Sequence, residues 1–420
     1  VSETTTGWAD RVGVGGIYLF AAFAWSGPSP AALGLSLTCL AFLVQMPRAW
    51  PVLMQIPAIQ MLGAVLLFLI LHSGVHVWLD PGAWQTLVDT GISHAQWLLP
   101  TVAVLWFLAG QPRRVMIMLT LACLSLLVRL LYNTHWPDPL VSFFGPSHGF
   151  GMAQIALGLY LATALLGLAL FMPRLAGWLQ SRWQHGLVWW LLTGLILLFA
   201  QALMVTQSRA TWLAFLLVAP VTLVLFFHRH RPGPAILGML GAGLMLPLVL
   251  ILWLNGGGIQ ERVAQEADTL GHILALETAQ VATDSVGLRY HVNLHGLTLA
   301  QEHPLWGWGG GSSGALIATH PVAEVSSLQH FHNTYLQILV EFGLVGLGLA
   351  LMTGTVILLG WWRLYQTGEL PRDLYFLLLG ASAMALIWSL SNVRLEQADM
   401  RAYGIMLLAS GLTFHLARYR

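Results

Sequence analysis

Apolar runs, repeated about twelve times and broken by short turns, constrain this chain more than any other feature. A run of about 20 apolar residues matches the hydrocarbon core of a bilayer, and roughly 15 to 17 suffice with thinning or snorkelling. Such runs fall near 12–26, 31–46, 56–71, 96–109, 115–131, 152–171, 188–204, 211–227, 235–254, 334–359, 375–390 and 402–416. Ordinary breakers separate them, such as Gly27-Pro28-Ser29-Pro30 and Arg231-Pro232-Gly233-Pro234. A soluble fold of 420 residues would need several cores, yet only 8% of the residues are charged and 57% are hydrophobic. That leaves too little polar surface to cover those cores. The expected fold class is therefore all-α: a polytopic membrane protein with about twelve transmembrane helices. It divides into 1–254 with the first nine spans, a partly helical loop at 255–333, and 334–420 with the last three. The polar stretch Val1 to Asp10 lacks the form of a cleavable signal peptide, so the first span is expected to direct insertion.

The net charge of +1 hides a separation by side. All eighteen basic residues are arginine, and an N-terminus in the cytoplasm puts twelve of them in inside segments: Arg11, Arg48, Arg113, Arg114, Arg174, Arg182, Arg229, Arg231, Arg363, Arg372, Arg418 and Arg420. This satisfies the positive-inside rule and places both termini in the cytoplasm. The other six, Arg129, Arg209, Arg262, Arg289, Arg394 and Arg401, fall outside or near the outer surface. Arg129 lies within an apolar run and Arg209 in a very short outer turn. An arginine at the bilayer centre costs about 2.5–3.5 kcal/mol on insertion scales, so it needs a partner. Either a structural ion pair or an anionic substrate can supply one. Membrane lipids are the expected surroundings, and no nucleic acid partner is expected.

One outer segment, Asn255 to His332, is far longer than the others, and long loops are often functional. The spacing predicts a charged helix over Ile259 to Val281 and a second helix, capped by Ser285, carrying Arg289, Val292, Asn293 and Gly296. The run Gly307-Trp308-Gly309-Gly310-Gly311 lacks the lysine of a P-loop and reads as a flexible turn, one that can also allow a close backbone approach to a ligand. Trp306 and Trp308 in this run can stack on sugars or pack the loop onto the bundle. The loop ends at His330-Phe331-His332-Asn333-Thr334-Tyr335. A surface histidine is more often a polar cap than a base. Here Asn333 stands beside it and Arg209 and Arg289 share its side. Glu341 lies inside the following span and must face protein, paired with an arginine or capping backbone. Cys39 and Cys123 sit in apolar runs as buried thiols. Glu266-x-Asp268 is expected to be a solvated face, and the loop histidines show no tight metal spacing.

Three segments together resemble the O-antigen ligase and polymerase superfamily. They are Ser208-Arg209-Ala210-Thr211-Trp212; Arg289 followed by His303-Pro304-Leu305-Trp306-Gly307-Trp308-Gly309; and His332-Asn333-x-Tyr335-Leu336 followed by Glu341-Phe342-Gly343. They cover about residues 200–350, and Phe144-Gly145-Pro146-Ser147-His148 is only loosely similar to a family segment. The resemblance implies a GT-C-like glycosyltransferase in the bacterial inner membrane with a periplasmic site. Its donor would be a glycan on undecaprenyl diphosphate and its acceptor lipid A–core oligosaccharide. Polymerases and protein O-oligosaccharyltransferases are the alternatives within the superfamily. A transporter or flippase of a lipid-linked anion is the alternative outside it.

On this reading Arg209 and Arg289 bind the diphosphate, since a guanidinium grips phosphate oxygens in bidentate fashion. His332 is the general base or only a binding group. Asn333, Ser208, Arg129 and Tyr335 are the candidate substrate-binding residues. The expected displacement inverts the anomeric centre and requires neither cofactor nor metal.

Overall fold

The computed structural model describes residues 3–79, 81–145, 148–178, 182–228 and 281–418, with scattered positions between 249 and 275. All regular structure among them is helical. In chain order the helices are α1 (Glu3–Phe23), α2 (Pro28–Leu53), α3 (Pro57–Leu79), α4 (Trp84–Ala95), α5 (Leu98–Leu108), α6 (Pro112–Tyr132), α7 (Pro139–Phe144) and α8 (Gln154–Trp178). They continue as α9 (Arg182–Val205), α10 (Arg209–His228), α11 (Ser285–Glu302), α12 (Ser313–Ile317), α13 (Ala323–Ser326), α14 (Thr334–Gln366), α15 (Arg372–Trp388) and α16 (Ala398–Leu412). The chain is an all-α polytopic membrane protein. Eight spans among the described residues are long and apolar enough to cross a bilayer. Helices α1, α15 and α16 occupy the first, eleventh and twelfth apolar runs. The expected span 235–254 lies outside the described residues, as do most of the charged helix 259–281, with Glu266 and Asp268, and the arginines Arg229, Arg231, Arg262 and Arg420.

Two spans depart from expectation. The run near 96–109 is too short alone, and the crossing is made by α4 and α5 together over Val88–Leu108. Asp89, Thr90 and Ser93 in α4 dilute its hydropathy and hide the first half from a scan. Helix α14 runs 33 residues, well past position 359.

Helix α8 passes through the centre: 72% of its apolar window is buried, against 44% or less in the other seven. It touches α9, α10 and α15, while α1 packs on α2 and α6, and α3 lies along α14. The α1–α2 pair is close because glycines meet. A methyl group on Gly34 would fall 2.6 Å from the Gly16 carbonyl oxygen. Lipid gives helices little hydrophobic reason to associate, so such small-residue contacts carry the packing.

The feature that shapes the functional end is a break in α14. Gly343 has φ 65° and ψ −170°, conformations open almost only to glycine. Nine residues at 1.5 Å each put it about 14 Å along the helix. In an unbroken helix Leu344 and Val345 would donate to the carbonyls of residues 340 and 341. Here they donate to Pro304 (2.8 Å) and Leu305 (3.3 Å) instead. The abandoned carbonyls accept from Trp308 (2.8 Å, to Val340) and Gly309 (3.0 Å, to Glu341). Segment 304–309 is thus spliced into the helix, and all four backbone groups are satisfied. The glycine run is therefore not the flexible turn expected. Its backbone is packed closely against α14: a Cβ on Gly307 would lie 2.5 Å from the Glu341 carbonyl carbon and oxygen. Trp306 and Trp308 serve this docking. The Trp306 ring packs among Phe68 and His72, and Trp308 Nε1 donates to the Leu299 carbonyl (2.9 Å).

Gly343→Ala should lower stability by about 1–3 kcal/mol, because its φ is disfavoured and the new methyl would sit 2.2 Å from the Leu305 oxygen. Gly348→Ala, in the same helix with nothing within 4 Å, should be neutral or slightly stabilising. Thermal unfolding in detergent compares the two; equal midpoints would remove the splice from the account.

Candidate active site

The three candidate residues come from three different elements. Arg209 opens α10 after a tight turn in which Gln207 takes φ +50°. The turn is pinned from several sides. Thr206 Oγ1 donates to Leu203 O (2.7 Å), Trp212 Nε1 donates to the same carbonyl (3.1 Å), and the His148 amide donates to Val205 O (3.1 Å). Ser208 is buried with its hydroxyl 2.8 Å from that of Thr211. An arginine in the first turn adds its charge to the positive end of the helix dipole, which favours a nearby anion.

Helix α11 carries Arg289. Its N-cap is Asp284, one residue before the expected Ser285: the carboxylate accepts from the amides of Val286 (3.0 Å) and Gly287 (2.8 Å). Thr269 Oγ1 donates to its other oxygen (2.6 Å). Burial pushes the Asp284 carboxyl up, but the hydrogen bonds from Gly287, Thr269 and Val286 and the Arg209 charge bring it below its ordinary value. Arg209 therefore lies near the start of the helix that holds Arg289. Ser285, freed from capping, accepts Arg289 Nη1 through its carbonyl (2.9 Å) and hydroxyl (2.8 Å). Burial lowers the Arg289 pKa, and its Nε is buried without a partner among the described residues.

His332 is placed by its neighbours. Phe331 is fully buried in a small core with Val292, Leu299, Leu336 and Val340. It lies over Gly296, where a Cβ would meet the ring at 2.8 Å. Arg289 and Gly296 are seven residues apart, two helical turns, and so share one face of α11. Asn333 caps α14, accepting from Tyr335 N (3.1 Å) and Leu336 N (3.2 Å). Between this anchor and this cap the backbone of His332 turns through φ +54°. Its ring stands edge-on to His330 at 4.3 Å. Burial, then the charges of His330 and Arg289, bring the His332 pKa from 6.5 down to about 4. The ring is thus neutral at neutral pH and able to accept a proton.

The remaining candidates have structural partners. Arg129 donates from Nε to Phe150 O (2.8 Å) and from Nη2 to Gly151 O, which holds the 148–151 segment against α6. The Tyr335 hydroxyl donates to Leu386 O (2.9 Å) and ties α14 to α15. Glu341 is buried without an arginine; Ser313 Oγ (2.5 Å) and Gln337 Nε2 (3.1 Å) donate to it. Among the described residues no group of three or more His, Cys, Asp or Glu side chains could hold a metal ion. Sequence reasoning missed Asp284, whose place just ahead of a helical pattern is an N-cap signal. It also missed His72, buried within α3, whose Nε2 lies 2.8 Å from Trp306 O. An ionisable residue inside a span was the signal for it.

Titration of labelled histidines by NMR should find His332 near pH 4, and Arg289→Gln should raise it only partway towards 6.5, since burial is the larger cause. The folded pKa lies below the unfolded one, so the unfolded chain takes up the proton first. Its stability contribution is present above about pH 6.5 and is lost as pH falls to about 4. An unshifted His332 in the intact protein would contradict the burial described here.

A family model described as O-antigen ligase matches residues 193–351. No curated protein matches the chain. The matched region holds Arg209, the whole of α11 with Arg289, the spliced segment 304–309, His332, Glu341 and the Gly343 break. Over this region the chain is similar to the O-antigen ligase family.

Proposed function

We propose that this protein is an O-antigen ligase, transferring a glycan from undecaprenyl diphosphate to lipid A–core oligosaccharide. In this reading it sits in the bacterial inner membrane with both termini in the cytoplasm and the site facing the periplasm. The observation that carries the reading is a half-buried His332 whose proton affinity is lowered by burial and by the charges of His330 and Arg289. The charge of Arg209 acts on Asp284, the N-cap of the helix that carries Arg289.

Arg209 and Arg289 take the diphosphate oxygens, and their hold tightens as negative charge develops on the leaving group. An acceptor hydroxyl oxygen attacks the anomeric carbon from the opposite face. The bond from that carbon to the phosphate oxygen breaks, and undecaprenyl diphosphate leaves with the electron pair. His332 takes the hydroxyl proton. One displacement inverts the anomeric centre, with no covalent glycosyl-enzyme. A diphosphate on Arg289 also offsets one of the charges that depress His332, so donor binding raises its basicity where a base is needed. Asn333, Ser208, Arg129 and Tyr335 hold the elements that carry these groups, and contact between them and substrate is part of the same proposal.

Purified protein should join an undecaprenyl diphosphate-linked glycan to lipid A–core without nucleotide and in the presence of EDTA. His332→Ala should lose about 10²–10⁴-fold in rate. Arg209→Lys should lose most activity if bidentate geometry matters. A folded His332→Ala variant with full activity would sink the base assignment. Transfer only between donor molecules would make the protein a polymerase, and transfer to a pilin hydroxyl would make it a protein O-oligosaccharyltransferase. Donor transport without transfer would replace the enzyme reading altogether.

A further inference from the structure

Two cavities stand out among the described residues, and their chemistry is opposite. The larger, about 440 Å³, lies within the bundle between α6, α8, α15 and α16 and is lined almost wholly by hydrocarbon. The smaller, about 100 Å³, lies between the first turns of α14 and the segment 393–397. Its walls include His330, Gln337, Glu341, Arg394, Glu396 and Gln397. That volume takes a few waters, or one edge of a sugar ring.

We propose that this smaller cavity is a subsite for a hydroxyl-rich pyranose of the acceptor, with His332 at its edge to receive the attacking hydroxyl. The proposal rests on the transferase reading above. Four observations support it. First, amide, carboxylate, guanidinium and imidazole groups in one small pocket are the donors and acceptors that sugar hydroxyls use. Second, the balance of charge disfavours phosphate. Glu341 and Glu396 line the cavity, and its one arginine, Arg394, is already held by both oxygens of Asp399 at 3.0 Å.

Third, three lining residues carry buried polar atoms with no partner among the described residues: His330 Nδ1, Gln337 Oε1 and Arg394 Nε. Buried polar groups rarely stay unsatisfied, and hydroxyls brought by a ligand would give them partners. Fourth, the position suits the geometry of displacement. His330 lines the cavity and its ring is 4.3 Å from that of His332. Arg209, Asp284 and Arg289 do not line it. An in-line attack needs the nucleophile and the leaving group on opposite sides of the reacting carbon. A pocket beside His332 and separate from the arginines is therefore on the acceptor's side.

The test uses the full-length protein in nanodiscs and two variants, Gln337→Leu within the cavity and Gln397→Ala at its exposed rim, where folding is not at stake. Michaelis constants are measured separately for donor and acceptor. Each variant should raise the acceptor KM about tenfold, the usual scale of one lost hydrogen bond, and leave the donor KM within about twofold. A rise in donor KM alone would assign the sugar to the donor and overturn the proposal, as would unchanged constants for both substrates. A second arm needs no turnover: saturation-transfer NMR with delipidated core oligosaccharide as the probe. Signal with the unsubstituted protein that is lost in Gln337→Leu supports the subsite. Equal signal from both proteins, or none from the unsubstituted protein, overturns it. Failure of the transfer reaction with an intact NMR difference would defeat the ligase reading and spare the subsite.

Discussion

Leu344 and Val345 turn their amides away from their own helix, and the arrangement of the functional end follows from how that loss is made good. At membrane depth an unsatisfied backbone group costs several kcal/mol, and no bulk water is present to relieve it. Segment 304–309 supplies two carbonyls and two amides at the required positions. Irregular backbone is tolerated there because these exchanged hydrogen bonds satisfy its polar groups, although Pro304, Leu305 and Trp306 stay exposed. Phe68 and His72 of α3 close over Trp306, and Trp308 reaches back to α11. The exchange fixes more than a loop. It holds Glu341 beside Ser313 and sets the start of α14, where Asn333 and His332 lie. It also draws in the end of α11, two turns beyond Gly296 and four beyond Arg289.

A second level of organisation is electrostatic. Several arginines are matched by carboxylates: Arg174 with Asp373 at 2.5 Å, Arg394 with Asp399 at 3.0 Å, Arg418 with Glu369 at 2.9 Å. Among the described residues, the Arg289 guanidinium donates to the carbonyl and hydroxyl of Ser285, and the residue is half-buried. Burial, reinforced by the charges of His330 and Arg289, keeps His332 without its proton. Asp284 offsets part of the Arg209 charge while it caps the helix, so one carboxylate acts on both Arg209 and the geometry of Arg289. A site of this kind is poised to receive an anion and to hold a neutral base at the same time.

Much of this was legible in particular residues. The apolar runs located most of the spans, because a bilayer imposes one length on every crossing. Arg209 and Arg289 drew notice because charge is rare in such a chain and arginine on the less basic side is rarer. His332 drew notice through its company. The split crossing of α4 and α5 was harder to read, since Asp89 and Ser93 lower hydropathy without ending the helix. Gly343 gave no signal of its own: glycine is common in spans, and only the partner segment distinguishes a break from an ordinary small residue.

The sequence by itself determined the class of molecule, where most of the crossings among the described residues fall, and a short set of polar residues that needed partners. It did so because hydropathy and charge act locally and cost the same wherever the chain goes. Only the tertiary structure decided what those partners are. Arg129 turns to the carbonyls of Phe150 and Gly151, Glu341 turns to a serine and a glutamine, and Arg289 turns back to the carbonyl and hydroxyl of Ser285. The glycine run looked like slack and proved to be part of a helix that belongs to another stretch of chain. Such pairings join residues tens of positions apart, and their free energy exists only once both segments are buried together.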